Sequence, residues 1–368
     1  MAGILHFECS KCGSRFPADR LQSNCPKDDA VLTARYDLTA AKPGFTRSGL
    51  AADRNFSMWR YAEVLPQVSP VSLGEGITPL VTSITSANIH IKDEGRNPTG
   101  SLDARAFSVA VSMAKSLNVT KLAIASNGSN AVTLSAYAAR GGMESFVFMP
   151  TDAPQSIAIE CKGYGAQVTL INGVIEDCAQ AVAKRKRQEG WMDVSELHAQ
   201  FGIEGVKTLG YELAEQLGWK LPGAIIYPGD GLGLMAIWKA FSEIEEIGWI
   251  GRERPRMFYV TQAGASGRPH PLVEAILTDS GGAAEGVNRE KATEAAGVWA
   301  RTEGILAARE GAASLSAYQK LRANGVLAED ETVVLINTAC GLRDLNAVAP
   351  NRKRFTTSDR IGGIIGPY

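Results

Sequence analysis

The sequence predicts an α/β protein in which helices cover both faces of a mostly parallel β-sheet. Short apolar runs rich in β-branched residues alternate with longer amphipathic segments, a pattern typical of strand–helix–strand units. The chain has 368 residues and is 45% hydrophobic, which is enough to bury a large core in two lobes plus a small appendage. No internal repeat or low-complexity tract interrupts the alternation.

The alternation runs through most of the chain after the first forty residues. Six apolar runs are the predicted strands: KLAIAS (121–126), SFVFMP (145–150), QVTLING (167–173), GAIIYPG (223–229), RMFYVTQ (256–262) and TVVLINT (332–338). Each of the first four precedes an amphipathic helical pattern. The stretch 38–55 is predicted to connect the N-terminal piece to the main body. Ligands of such sheets bind at the carboxyl ends of the strands, where loops lead into helix N-termini.

Charge and composition exclude several classes of partner. The formal net charge is -1, and residues of both signs are mixed along the chain, so neither nucleic acid nor an anionic membrane is an expected partner. The basic run near Lys184 follows an amphipathic pattern and is predicted to be a solvated helix face. The first residues lack the features of a signal peptide, and no apolar run is long enough to span a bilayer. We therefore expect a soluble cytoplasmic protein.

The N-terminal segment carries a cysteine pattern with metal-ligand spacing. Cys9 and Cys12 form a C-x-x-C pair, and Cys25 begins a second turn in which Asp28 stands at the fourth ligand position. Six cysteines in a chain of this size indicate thiols or metal ligands, not a disulfide framework. A structural zinc ion is one interpretation, and a decayed ribbon that folds without metal is the other.

Three strand–loop–helix junctions provide candidate ligand-binding residues. In the second and third, backbone N–H groups at a helix N-terminus or in a glycine-rich turn suit a carboxylate or another anion. In the first junction Ser101 is expected to cap the helix that follows. The candidates are Thr99, Ser101 and Arg105 in the first junction, Ser126, Asn127, Gly128, Ser129 and Asn130 in the second, and Gly229, Asp230, Gly231, Leu232 and Gly233 in the third.

The chain resembles the threonine synthase family, whose pyridoxal-phosphate fold also includes the tryptophan synthase β subunit. Long segments carry the resemblance: FECSKCGSRF and NCPKD near the N-terminus, SLGEGITPLV (72–81), KDEGRNPTGS (92–101), EGVKTLGYELAEQLGW (204–219), GLGLMAIWKAFSEIEEIGWIG (231–251) and VVLINTACGLRD (333–344). The resemblance implies a tryptophan synthase β-like, fold-type II architecture of two domains plus the ribbon-like arm.

The chain departs from the family pattern at the position of the residue that binds the cofactor covalently. The family continues NPTGS with a phenylalanine and then the lysine that forms the imine with the cofactor aldehyde. In that register Asp103 occupies the lysine position, Ala104 follows it, and Arg105 is retained. An imine requires an amine, so Asp103 cannot hold the cofactor covalently. As the first acidic residue of a helix, Asp103 is also favoured by the helix dipole by up to ~1 kcal/mol, without any catalytic role.

Other positions of the inherited pocket have changed as well. Ser129 stands where the family has an asparagine that contacts the cofactor ring, with Asn130 one place later, and Asp230 stands where glycine is more usual. Thr338 matches the family residue that faces the pyridine nitrogen. An extended turn before the helix at 271 brings in Arg268 and His270, whose role the sequence leaves open.

The resemblance predicts three structural units. A ribbon-like arm takes residues 1–38, a large α/β domain takes 39–104 and 190–368, and a small inserted α/β domain takes 105–189. The sequence leaves a homodimer open.

Three functional interpretations follow from these departures. The first is an enzyme repurposed for lyase-, cyclase- or hydrolase-type chemistry without lysine-bound pyridoxal phosphate, acting on a small anionic, amino-acid-like metabolite with Asp103 as general acid/base. The second is a non-catalytic ligand-binding protein. The third is an enzyme that still uses pyridoxal phosphate, held without a covalent link. Arg105 either contacts a substrate anion or pairs with a neighbouring acid.

Overall fold

The computed structural model describes residues 3–18, 24–262 and 269–344, with the side chains of 196–200 and 344 left undescribed. Its strands within these ranges are β1 (Ile4–Cys9), β2 (Arg15–Phe16), β3 (Leu32–Tyr36), β4 (Leu80–Thr82), β5 (Ile89–Asp93), β6 (Lys121–Ala125), β7 (Glu144–Pro150), β8 (Gln167–Ile171), β9 (Met192–Asp193), β10 (Ala224–Pro228), β11 (Arg256–Gln262), β12 (Ala283–Val287) and β13 (Val333–Asn337).

The helices surround these strands. They are α1 (Leu38–Ala41), α2 (Arg47–Ala52), α3 (Asp103–Ser116), α4 (Ser129–Gly141), α5 (Gln155–Gly163), α6 (Ile175–Glu189), α7 (Val194–Val206), α8 (Thr208–Gln216), α9 (Leu232–Ile247), α10 (Pro271–Ser280), α11 (Arg289–Thr302) and α12 (Arg309–Ala323). Across the described ranges, none of them has both the length and the apolar character that crossing a membrane requires.

The largest sheet brings three functional loops to one edge. Its six strands lie in the order β12-β11-β10-β13-β5-β4, and all neighbours are parallel except β4 with β5. In the register of this sheet Ile226 pairs with Leu335, and Asn337 pairs with Asp93. The loops that follow β10, β13 and β5 therefore begin side by side, as parallel strands require.

A second sheet forms the smaller lobe. Its four parallel strands lie in the order β8-β7-β6-β9, and they span residues 121–193. The last strand thus lies beyond residue 189, where the sequence predicts the boundary of the small domain. The helix α3 joins the two lobes and packs against α7 so closely that a Cβ on Gly205 would lie 2.0 Å from the carbonyl oxygen of Arg105.

The two sheets, one parallel and one mostly parallel, are covered by helices and confirm the predicted α/β class. One detail adds to the sequence expectation. The predicted connector 38–55 forms α1 and α2. Both short helices have side-chain caps, because Asp37 accepts a hydrogen bond from Ala40 N (2.9 Å) and Thr46 accepts one from Gly49 N (3.0 Å).

The N-terminal arm is a three-stranded antiparallel sheet that packs on the main body. Its strands lie in the order β2-β1-β3. The ring of Phe7 packs edge-on against Phe201 of α7 at a centroid distance of 5.7 Å. The ammonium group of Lys207 lies 3.9 Å from the ring centroid of Tyr36, a cation–π contact. These contacts hold the body of the arm in place through apolar and aromatic packing.

Candidate functional site

A small cavity of about 170 Å³ lies where the loops after β10 and β13 meet the starts of α3 and α4. Its walls combine acidic, hydroxyl and amide side chains with a few apolar ones. The lining residues are Ser101, Leu102, Asp103, Ser129, Asn130, Tyr227, Asp230, Glu310, Thr338 and Ala339. All three predicted loop junctions therefore contribute to one cavity, although only some of the predicted residues of each junction reach it.

Asp103 is the first residue of α3, and its half-buried side chain lines the cavity. Its Oδ2 accepts a hydrogen bond from the Ser101 hydroxyl at 2.9 Å. When the Asn130 amide is oriented to donate, its nitrogen lies 3.1 and 3.0 Å from the two carboxylate oxygens. Donors from the first and second junctions thus converge on Asp103 and fix its carboxyl group at the cavity wall.

The predicted cap of α3 needs a correction. The N-cap position belongs to Leu102, whose backbone is already helical, and not to Ser101. The Ser101 hydroxyl instead accepts a hydrogen bond from Asp103 N (3.2 Å) while it donates to the carboxylate. Ser101 therefore orients Asp103.

Glu310 faces the same cavity and was not among the residues predicted from the sequence. It is the second residue of α12 and also lines an adjacent cavity of about 460 Å³. Glu310 is exposed, and it meets solvent at these cavities. Partial desolvation of its carboxyl group and the neighbouring carboxyl groups of Asp103 and Asp230 raise its pKa to about 7. A carboxyl group with this pKa exchanges its proton near neutral pH.

Little in the sequence indicated that Glu310 would line the cavity. An acidic residue in the first turn of a helix is common because it complements the helix dipole. Only the sheet order, which places β13 beside β10, brings the start of α12 against the loop after β10.

The glycine-rich loop after β10 begins α9 in the expected strand–loop–helix geometry. Gly229 and Gly231 have φ angles of 124° and 84°, which glycine adopts without strain. Asp230 turns its carboxylate back onto the loop, where Oδ1 accepts a hydrogen bond from Leu232 N at 3.0 Å. One N–H group that an anion would use is therefore already bonded to an acidic side chain.

Side chains of the protein cover the three glycines of this loop. A Cβ on Gly229 would lie 2.9 Å from Glu310 Oε1, and a Cβ on Gly231 would lie 2.8 Å from Val273 Cγ2. A Cβ on Gly233 would lie 2.3 Å from the hydroxyl oxygen of a tyrosine on β10.

That tyrosine is Tyr227, which is 2% exposed and fills the space beside the start of α9. Burial and the nearby Asp230, Glu310 and Asp103 carboxyl groups raise its pKa well above the usual value, so its hydroxyl group stays neutral. The sequence feature that could have identified Tyr227 is a bulky aromatic residue two places before the first glycine of the loop. Side-chain alternation along β10 turns it toward the loop.

The second junction presents the start of α4 to the cavity. Gly128 is the N-cap of this helix and provides no side-chain cap, while Ser129 and Asn130 line the cavity. The Ser126 hydroxyl accepts a hydrogen bond from Gly128 N at 3.3 Å, and Asn127 is exposed. Ser126 therefore shapes the turn, whereas the first helical residues face the cavity.

Two predicted threonines lie in different environments. Thr338 is 8% exposed and lines the cavity, and its carbonyl oxygen accepts a hydrogen bond from Leu102 N. Thr99 does not line it. The Thr99 hydroxyl lies 2.9 Å from that of Thr133, and its carbonyl oxygen accepts a hydrogen bond from Arg343 at 2.6 Å. Thr99 thus fixes the loop conformation.

Arg105 lies in the core, away from the cavity. Its guanidinium group is fully buried. It donates two hydrogen bonds to Glu94 (2.7 and 2.8 Å) and one to Glu212 (2.9 Å). Of the two interpretations left open by the sequence, pairing with neighbouring acids is the one that the geometry supports. Lys92 also bonds to Glu212, and these two cations outweigh the effect of burial and lower the pKa of Glu212 to about 2. This network ties α3 to β5 and α8.

The turn before α10 lies largely outside the described residues, and Arg268 falls in that gap. His270 is exposed and caps α10 by accepting a hydrogen bond from Leu272 N at 3.2 Å.

The predicted metal ligands Cys9, Cys12, Cys25 and Asp28 come together at the tip of the arm.

Comparisons with known proteins fit this architecture. Residues 71–339 match the family described as pyridoxal-phosphate dependent enzyme. The chain belongs to this family. It is 31% identical to threonine synthase of Methanocaldococcus jannaschii over 92% of this chain and 93% of that one, and 30% identical to threonine synthase of Methanosarcina acetivorans over 94% of each. Within the family it is therefore threonine synthase-like.

Solved structures confirm the fold-type II architecture. Diaminopropionate ammonia lyase of Escherichia coli in complex with D-serine superposes with a TM-score of 0.65 at 18% identity, covering 81% of this chain and 94% of that chain. A processed threonine deaminase isoform of Solanum lycopersicum gives a TM-score of 0.60 at 16% identity, covering 74% and 87%. At these identities the likeness concerns the fold alone.

The cavity lining does not fit the family cofactor in its usual attachment. Pyridoxal phosphate needs an amine for its aldehyde and a cradle for its phosphate. The residues lining the cavity include no lysine among those described, and Asp103, at the position that the resemblance gives to the lysine, offers a carboxyl group. Tyr227 fills the space beside the glycine-rich loop that the resemblance assigns to the phosphate, and the nearby carboxyl groups of Asp230 and Glu310 would repel a phosphate dianion.

Proposed function

We propose that this protein binds a small amino-acid-like metabolite without lysine-bound pyridoxal phosphate and acts on it by proton transfer. Asp103 is the general acid/base, and Glu310 is its partner. The observation that carries the proposal is that Asp103 and Glu310 line one cavity. The family resemblance supports it, because it assigns the position of Asp103 to the imine-forming lysine. The reaction is of lyase, cyclase or hydrolase type, in which a positioned carboxyl group moves a proton.

The two acids have different environments, which suits different roles. Asp103 accepts hydrogen bonds from Ser101 and Asn130, so its carboxylate is oriented toward the cavity. Glu310 has a pKa of about 7 because of partial desolvation and its acidic neighbours. One carboxyl group therefore accepts a proton from the ligand while the other is ready to supply one near neutral pH.

The cavity also indicates the charge of the ligand. Three carboxyl groups, those of Asp103, Asp230 and Glu310, line the cavity and favour an ammonium group. The start of α4 at Ser129 and Asn130 also lines it, and the N–H groups there suit a carboxylate. An amino-acid-like zwitterion suits both kinds of group, which refines the expectation of an anionic metabolite.

The cavity volume of about 170 Å³ suits a ligand of the size of a small amino acid. Pockets for drug-sized ligands start at about 300 Å³.

The first test is a thermal-shift screen of the purified protein against amino acids, amines and pyridoxal phosphate, followed by mass spectrometry of mixtures with the best ligand. We expect a zwitterionic amino acid to stabilise the protein and to be converted. Asp103→Asn is expected to bind it within about threefold of the wild-type affinity but to lose at least about 100-fold in turnover.

Glu310→Gln provides a second readout. Wild-type turnover should change with an apparent pKa near 7, and this pH dependence should disappear in the variant. Glu290→Gln is the matched control, because Glu290 is also the second residue of its helix, follows an arginine and is exposed outside the cavity.

The other interpretations are distinct outcomes of this experiment. Binding without conversion, unaffected by Asp103→Asn, would identify a non-catalytic ligand-binding protein. Stabilisation by pyridoxal phosphate with no borohydride-reducible adduct would identify an enzyme that holds the cofactor without a covalent bond.

A further inference from the structure

The tip of the N-terminal arm is built from two turns with the same backbone geometry. In the first turn Cys9 N–H donates to the carbonyl oxygen of Ser14 at 2.9 Å, and Gly13 N–H donates to that of Cys9 at 3.1 Å. Gly13 has a φ angle of 67°, a left-handed conformation that closes the turn. The turn therefore presents the side chains of Cys9 and Cys12 on one side.

The second turn repeats this pattern sixteen positions later. Cys25 N–H donates to the carbonyl oxygen of Ala30 at 2.8 Å, and Asp29 N–H donates to that of Cys25 at 2.9 Å. Asp29 has a φ angle of 58°, so a non-glycine residue adopts the left-handed conformation seen at Gly13. By this correspondence Asp28 takes the place that Cys12 has in the first turn.

The four side chains meet at distances that suit a tetrahedral metal ion. One ligand atom from each of Cys9, Cys12, Cys25 and Asp28 lies within 4.8 Å of all the others. The sulfur atoms of Cys12 and Cys25 are 3.7 Å apart, and Cys9 Sγ lies 3.3 and 3.6 Å from the Asp28 carboxylate oxygens. Zinc–sulfur bonds of about 2.3 Å at tetrahedral angles place two sulfurs about 3.8 Å apart.

Backbone N–H groups support the ligand atoms. Lys11 N and Cys12 N both donate to Cys9 Sγ at 3.4 Å, and Ala30 N donates to Asp28 Oδ1 at 3.2 Å. Such donors stabilise negative charge on a thiolate or a carboxylate and fix its orientation toward a metal.

We propose that Cys9, Cys12, Cys25 and Asp28 bind one structural zinc ion. Three thiolates favour zinc over magnesium or calcium, and four protein ligands leave no open position for catalysis. Binding releases the thiol protons to solvent. The ion joins the two turns at the tip, while the contacts of Phe7 and Tyr36 hold the rest of the arm. The proposal is independent of the chemistry at Asp103.

The test is elemental analysis of the full-length protein purified without chelator, combined with cobalt substitution. We expect about one zinc ion per chain, and for cobalt the visible spectrum of a tetrahedral site with thiolate charge-transfer bands. Cys25→Ser should lower the zinc content to below about one tenth. Asp28→Asn should weaken affinity at least about tenfold, whereas Asp28→Cys should bind more tightly and raise the charge-transfer intensity by about one third.

Cys161→Ser and Cys178→Ser are the controls, because both thiols are buried in the body far along the chain from the arm. They should leave the zinc content unchanged. Wild-type protein with fully reduced thiols that retains less than about 0.1 zinc after incubation with the metal alone would overturn the proposal. An octahedral cobalt spectrum, unchanged affinity in Asp28→Asn, or a Cys12–Cys25 disulfide in freshly purified protein would do the same.

Discussion

The raised pKa of Glu310 predicts a specific dependence of stability on pH. In the unfolded chain the Glu310 carboxyl group has its usual value of 4.5, and in the folded protein its pKa is about 7. The folded state therefore binds more protons than the unfolded state between these values. Linkage then requires that stability is lost as the pH rises from about 4.5 to about 7. Replacing Glu310 with glutamine removes this loss.

The size of the effect follows from the same shift. A rise from 4.5 to about 7 corresponds to about 3.4 kcal/mol, at about 1.36 kcal/mol per pH unit. Because the side chain reaches solvent through the cavities, screening reduces this to about 1–2 kcal/mol. For a chain of 368 residues this free energy is equivalent to roughly 1–3 °C in Tm.

The assay is the Tm of the wild-type protein and of Glu310→Gln between pH 5 and pH 8. The two proteins should have similar Tm values at pH 5, and the variant should be more stable by roughly 1–3 °C at pH 8. Glu290→Gln should show no such pH-dependent difference. Parallel wild-type and Glu310→Gln curves over the whole range would refute the assignment of a raised pKa to Glu310.

Two further predictions concern the core that supports the cavity. Gly205→Ala places a methyl group 2.0 Å from the Arg105 carbonyl oxygen and should lower the free energy of unfolding by about 1–3 kcal/mol. The control is Gly163→Ala, whose new methyl group has no atom within 4 Å and should change stability by less than about 0.5 kcal/mol. Equal Tm values for the two variants would contradict the close packing of α3 on α7. Arg105→Met leaves Glu94 without its cationic partner and Glu212 with Lys92 alone, and should cost about 3–5 kcal/mol by urea denaturation. The cost should shrink as the pH falls from 4.5 toward about 2, where the stabilisation gained from the lowered pKa of Glu212 is lost, and an unchanged midpoint would show that the network contributes nothing.

The fold was largely predictable because its strands are short apolar runs with clear helical partners. KLAIAS and TVVLINT, for example, form β6 and β13 with small changes at their ends. The edge strand β4 was missed because three residues beside a proline carry little strand signal. The connector at 38–55 forms helices because caps at Asp37 and Thr46 offset its proline and glycines.

The cavity was predictable only where it lies close to the motifs. Asp103, Ser129 and Asp230 follow strands or turns whose positions the sequence determines, and they line one cavity. The positions of Glu310 and Tyr227 in the cavity depend on which strands are neighbours and on the direction in which each side chain points. Neither property can be read from a short segment of sequence. Both residues lie against the glycine-rich loop after β10.

Arg105 shows the opposite limitation. Its position in the motif suggested contact with a substrate, yet the acids that pair with it come from segments 11 and 107 positions away. A buried ion pair of this kind cannot be predicted without knowing how the helices pack.

The central claim is that a carboxyl group stands where the family has its imine-forming lysine, in a cavity whose phosphate loop is closed by Tyr227. It is tested most directly by titrating the wild-type protein with pyridoxal phosphate, reducing with borohydride and mapping any modified peptide by mass spectrometry. We expect no saturable visible absorbance of an imine and no stoichiometric adduct on any lysine. A single lysine modified at about one equivalent per chain, with saturable absorbance before reduction, would contradict the account.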